Sequence, residues 1–177
     1  MFQKIASALI GRAERRLGVS LDYARQIART DFGLLQRYNR IFGFLDPNRH
    51  VPPQAYHAAR LRGALAADCG TCVQAEISLA RKAGLGAELI DQILAGQGAL
   101  IVDDLAAVMA LSDAVVYRRE DDADARDSVL RAYGQKGLIE LSYAMNGAAL
   151  LPGIKRAMGY ATTCDLDILR KSAAHAG

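Results

Sequence analysis

Two thiols, an imidazole and a carboxylate are the side chains of this sequence whose types and spacing could do chemistry together. The cysteines stand as Cys69-Gly-Thr-Cys72, with Glu76 after them and His57 before them. On a helix, Cys69, Cys72 and Glu76 follow the pattern i, i+3, i+7 and share one face. A helix beginning at the pair would turn unpaired amides and the positive end of its dipole toward the sulfurs, favouring a thiolate. Asp68 would oppose that effect. Glu76 could reach the Cys72 sulfur directly, through water or through a histidine. A thiol beside an acid and a base, with a second thiol able to close a disulfide, is a minimal unit for reaction with peroxides or disulfides.

Other readings of these residues are weaker. Zinc needs two ligands beyond the thiols. There is no second CxxC, so His57, Cys164 or His175 would have to converge on the pair. Cys164 reads as an incidental or structural thiol, with a third redox partner as its alternative. His50 and His175 read as surface residues. Tyr38, Phe42 and Phe44 read as core, or as the lining of a substrate path. Gly96-Gln97-Gly98 reads as a turn, since it lacks the lysine and spacing of a phosphate loop.

The elements that must position these residues are helical. Of 177 residues, 51% are apolar and 6% aromatic, with no tryptophan and four prolines. That balance favours packed helices over a sandwich of strands. Helical periodicity runs through residues 21–45, with a break at Asp46-Pro47. Pro52-Pro53 opens the next helix, which is expected to end near Asp68. The CxxC leads into a helix over 71–83 that Gly84 terminates, and a short helix covers 87–95. Residues 101–116 continue the period. Residues 118–127 read as a charged loop and the start of a helix. A last helix begins near Leu138, and Pro152-Gly153 is expected to kink or split it. The expected architecture is all-α, about seven helices in a single domain over 1–177. It divides into an N-terminal helical extension (1–31), a core (32–159) and a C-terminal tail (160–177).

Charge and hydropathy exclude other classes. A net charge of +3, with 22 basic and 19 acidic residues interspersed, gives no basic block for nucleic acid. No stretch approaches the roughly 18 apolar residues of a membrane span. The N-terminal apolar stretch is short and reaches Arg12 early, unlike a secretory signal, so a cytoplasmic protein is expected.

The CxxC, the helix after it ending Arg81-Lys-Ala-Gly-Leu85, and the short helix followed by Gly96-Gln97 resemble the alkylhydroperoxidase D / carboxymuconolactone decarboxylase (AhpD-like) family. Tyr143-Ala-Met-Asn146 resembles that family's closing helix, and the likeness runs over residues 32–159. The family carries a glutamate where this chain has His57, and a histidine where it has Glu76. Acid and imidazole have exchanged places, and Thr71 stands where some members carry another histidine. The resemblance implies a thiol-dependent hydroperoxide reductase without a cofactor or metal. Cys72 would attack the peroxide and Cys69 would resolve it, with His57 and Glu76 sharing the proton transfers. A lipoyl or thioredoxin-like dithiol would be the reductant, and copies would assemble as trimers or hexamers. The same family implies two alternatives: a decarboxylase-like enzyme that needs no thiols, or an inactive redox-sensing or structural member.

Overall fold

The computed structural model describes residues 2–45, 48–162 and 165. Among them every regular element is helical, and the fold is an all-α bundle. At its centre lies α4 (Pro53–Ala66), with Pro53 in the first turn, where a missing N–H costs nothing. Ala55, Ala58, Ala59, Leu61 and Ala64 are buried on it. Small side chains let it pack tightly against α8 (Ala123–Ala157). The approach is closest at Gly63, where a Cβ would stand 2.2 Å from the Met145 carbonyl oxygen. Around this pair lie α5 (Gly70–Lys82), α6 (Ala87–Ala95) and α7 (Asp103–Ser112). Ile77, Ile90, Ile93, Val108, Val129 and Leu141 fill the larger core between them.

A second core joins α1 (Phe2–Leu17), α2 (Asp22–Thr30) and α3 (Phe32–Leu45) to the C-terminal end of α8. Ala6, Ile10, Leu21, Tyr23, Leu35 and Tyr38 are its buried members, and Leu151, Ile154 and Met158 of α8 pack against them. Tyr38 is therefore core, as expected. The side chains of Phe42 and Phe44 lie outside the described residues, as do Cys164 and His175. His50 is exposed, with its backbone N–H held by the buried Glu140.

Three boundaries differ from those read in the sequence. The run 21–45 is two helices, broken at Asp31, whose backbone is extended. The Asp31 carboxylate accepts hydrogen bonds from Gly33 N (2.6 Å) and Leu34 N (3.1 Å), capping α3, and so competes with a continuous helix. The run 101–116 becomes α7 followed by a π-helical turn, Asp113–Arg118. The last helix starts earlier, at Ala123, capped by Asp122. Its one non-helical residue is Gly134 (φ 68°), and Pro152 is carried within the helix.

Candidate active site

The turn between α4 and α5 presents the thiols. Asp68 adopts a left-handed backbone (φ 47°), which an aspartate tolerates better than most residues. Cys69 follows in extended conformation as the N-cap of α5, and its carbonyl accepts from Cys72 N (2.9 Å) and Val73 N (3.0 Å). The first-turn amides of Gly70 and Thr71 are taken by Thr162, at 3.1 Å and 3.2 Å. Most of the expected free amides are thus already bonded.

The two sulfurs lie 2.6 Å apart as free thiols joined by a hydrogen bond. Cys69 is 0% exposed, whereas Cys72 is half-buried and lines a cavity of about 430 Å³. The walls of this cavity are mostly apolar and come from both cores: Ala13, Leu35, Ala75, Ala148 and Leu151 are among them. The N-terminal helices therefore supply part of the wall in front of Cys72.

Lys155 of α8 enters from the side and is only 5% exposed. Its Nζ lies 3.5 Å from Cys72 Sγ, 3.8 Å from Cys69 Sγ and 3.2 Å from Thr71 Oγ1. It also stands 5.2 Å from the centre of the Tyr23 ring, over its face. Next to it, Arg156 bonds the carbonyls of Ala67 (2.8 Å) and Asp68 (2.6 Å). Two consecutive residues of α8 thus brace the thiol-bearing turn.

The electrostatics follow from this packing. The hydrogen bond with Cys72 holds the Cys69 thiol down at about 5, with help from the Cys72 backbone N–H, Lys155 and Thr71 and against the effect of burial. The same S–H···S hydrogen bond, with burial, pushes Cys72 up, and Lys155 opposes that rise. The pair gives up one proton readily and the second only with difficulty. Tyr23 and Tyr38 share a 2.9 Å hydrogen bond between hydroxyls, and burial raises both.

Of the expected site residues, Cys69 and Cys72 are together, and Glu76 lines the same cavity as Cys72. Arg60 of α4 binds both carboxylate oxygens of Glu76 at 2.7 Å, in a buried, bidentate pair. His57 is 7% exposed and stands edge-on to Tyr56. Its Nδ1 has no hydrogen-bond partner, and it is not among the residues lining the cavity. Burial lowers its basicity, Glu76 raises it and Arg60 lowers it. Among the described residues no three His, Cys, Asp or Glu side chains gather to hold a metal.

Lys155, Arg60 and Tyr23 did not emerge from the sequence as site residues. A signal for Lys155 was present. Ala148, Leu151, Pro152 and Met158 place it on the apolar stripe of its helix, where a lysine is unusual. Among the described residues no helix is long and apolar enough to cross a membrane. Compared with known proteins, the chain matches no family model, no curated protein and no solved structure.

Proposed function

We propose that this chain is a dithiol hydroperoxide reductase of the AhpD-like type, working through Cys69 and Cys72. One observation carries the reading: two free sulfurs within bonding reach of each other, one of them opening onto a mostly apolar cavity. A structural cysteine pair needs no such cavity, and an apolar chamber suits a hydroperoxide with a hydrocarbon body.

The chemistry balances as follows. The resting charge sits on Cys69, and passage of the Cys72 proton across the short S–H···S contact moves the thiolate to Cys72. Cys72 is the sulfur accessible from the cavity, and its thiolate attacks the terminal peroxide oxygen. The O–O bond breaks, Cys72 becomes a sulfenic acid, and the departing alkoxide takes up a proton to leave as an alcohol. Cys69 then attacks the Cys72 sulfur, the S–O bond breaks, and water departs as the disulfide forms. An external dithiol, lipoyl or thioredoxin-like, takes the two oxidising equivalents and restores both thiols. Glu76, held by Arg60, acts as a positioning group of the cavity wall. A reducing compartment such as the cytoplasm keeps the pair as thiols. Assembly of copies belongs to the same reading, and Ile139, Tyr143 and Leu150, exposed on α8, offer an apolar face for it.

Steady-state consumption of cumene hydroperoxide with dihydrolipoamide as reductant tests the proposal. Wild-type protein is expected to turn over, and Cys72→Ser and Cys69→Ser are each expected to abolish turnover. Full activity in the Cys69→Ser/Cys72→Ser variant would instead favour chemistry that does not use the thiols.

A further inference from the structure

Lys155 poses a problem that the fold alone does not solve. An ammonium this deeply buried is costly unless an anion accompanies it. Its partners are two sulfurs, one hydroxyl and the face of a tyrosine ring. Among the described residues no carboxylate stands within ion-pairing distance of it. The groups facing the thiol pair can be taken in turn. From α2 and α3 come Tyr23 and Tyr38, neutral hydroxyls bonded to each other. From α4 come Arg60, committed to Glu76, and His57, which does not line the cavity. The turn before α5 carries Asp68, exposed and facing Arg156 at 4.0 Å. Lys155 alone among these cations touches sulfur.

We propose that Lys155 is a catalytic residue of this site: its ammonium is the counter-charge of the Cys72 thiolate and the source of the proton that the leaving oxygen takes. The inference rests on the dithiol reading above. In the attack, the Cys72 S–O bond forms as the O–O bond breaks, and a proton passes from Lys155 Nζ to the departing alkoxide. The neutral amine then accepts the Cys69 thiol proton, Cys69 displaces hydroxide from Cys72, and that proton leaves with the hydroxide as water. Solvent returns a proton to the amine. Thiolate, thiol, ammonium and hydroperoxide thus become disulfide, amine, alcohol and water, with charge conserved.

Two substitutions separate the two roles. Lys155→Met removes both charge and proton. Lys155→Arg keeps the charge, but a guanidinium does not give up its proton. Cys72 alkylation by iodoacetamide, followed against pH, reads the thiolate. Single-turnover oxidation by cumene hydroperoxide and by peracetic acid reads the proton, because a carboxylate leaves without one. Lys155→Met is expected to move the alkylation midpoint of Cys72 upward. It should also slow cumene hydroperoxide about 100-fold, within the usual range for an acid–base group, and peracetic acid much less. Lys155→Arg is expected to retain the midpoint and lose the cumene hydroperoxide rate. Should Lys155→Met not fold, Lys155→Arg alone decides the proton role. A Lys155→Met midpoint equal to wild type, or a Lys155→Arg rate equal to wild type, overturns the corresponding half. If wild-type protein is not oxidised by either peroxide, the dithiol reading fails first.

Discussion

Arg60 occupies both carboxylate oxygens of Glu76, each at 2.7 Å, on the wall of the cavity that Cys72 enters. This places Glu76 in a fixed, fully bonded pair. Removing one partner strands the other's charge in the interior, at a typical cost of about 3 kcal/mol or more. Glu76→Gln is therefore expected to lower the unfolding free energy by about that amount in urea, with the Cys72 alkylation midpoint little changed. Unchanged stability with a shifted thiol midpoint would mean that Glu76 serves the sulfur directly.

His57 gives a pH signature. Burial lowers its folded-state value below the ordinary 6.5, so the folded chain keeps it neutral where the unfolded chain protonates it. The unfolded state then binds the extra proton, and stability falls as pH drops below 6.5 until the folded-state value is passed. Urea unfolding across that window should show a steeper loss for wild type than for His57→Leu. The thiol pair contributes equally to both proteins. Parallel curves would contradict the burial argument.

The hydroxyl pair of Tyr23 and Tyr38 joins α2 to α3 within the second core. Tyr38→Phe leaves the Tyr23 hydroxyl without this bond and is expected to destabilise by about 1–2 kcal/mol. Tyr23→Phe/Tyr38→Phe should cost less than the sum of the single changes, since two apolar rings leave no orphaned hydroxyl. Simple additivity in a double-mutant cycle would show that the two hydroxyls do not interact.

Gly63 tests the close crossing of α4 and α8. A methyl there meets the Met145 carbonyl oxygen at 2.2 Å and Ala148 Cβ at 3.3 Å. Backbone cannot yield as a flexible side chain does, so Gly63→Ala is expected to cost about 2 kcal/mol or more. A thermal midpoint equal to wild type would mean that the helices cross farther apart.

Local spacing carried much of this structure. The helix class, the Pro53 start of α4 and the glycine stops after α5 and α6 follow from near-neighbour chemistry, as does the shared face of Cys72 and Glu76. Asp31 and Gly134 were harder, because a capping carboxylate or a single backbone inversion interrupts a helix without disturbing its hydrophobic period. The surroundings of the thiols were harder still. Lys155 approaches Cys72 from another helix, and Arg60 turns Glu76 into half of an ion pair. Both relationships depend on how α4, α5 and α8 pack, which no spacing within one segment encodes. Glu76 and His57 supply an acid and an imidazole close to the CxxC in sequence, whereas the charge in contact with the sulfur is Lys155.

Peptide mass mapping after one equivalent of organic hydroperoxide tests the central claim most directly. The account predicts that Cys69 and Cys72 disappear together from the alkylatable thiols and return in one internally linked peptide, lighter by the two thiol hydrogens. Both cysteines still open to alkylation after peroxide treatment, at an oxidation rate no greater than that of free cysteine, would contradict it.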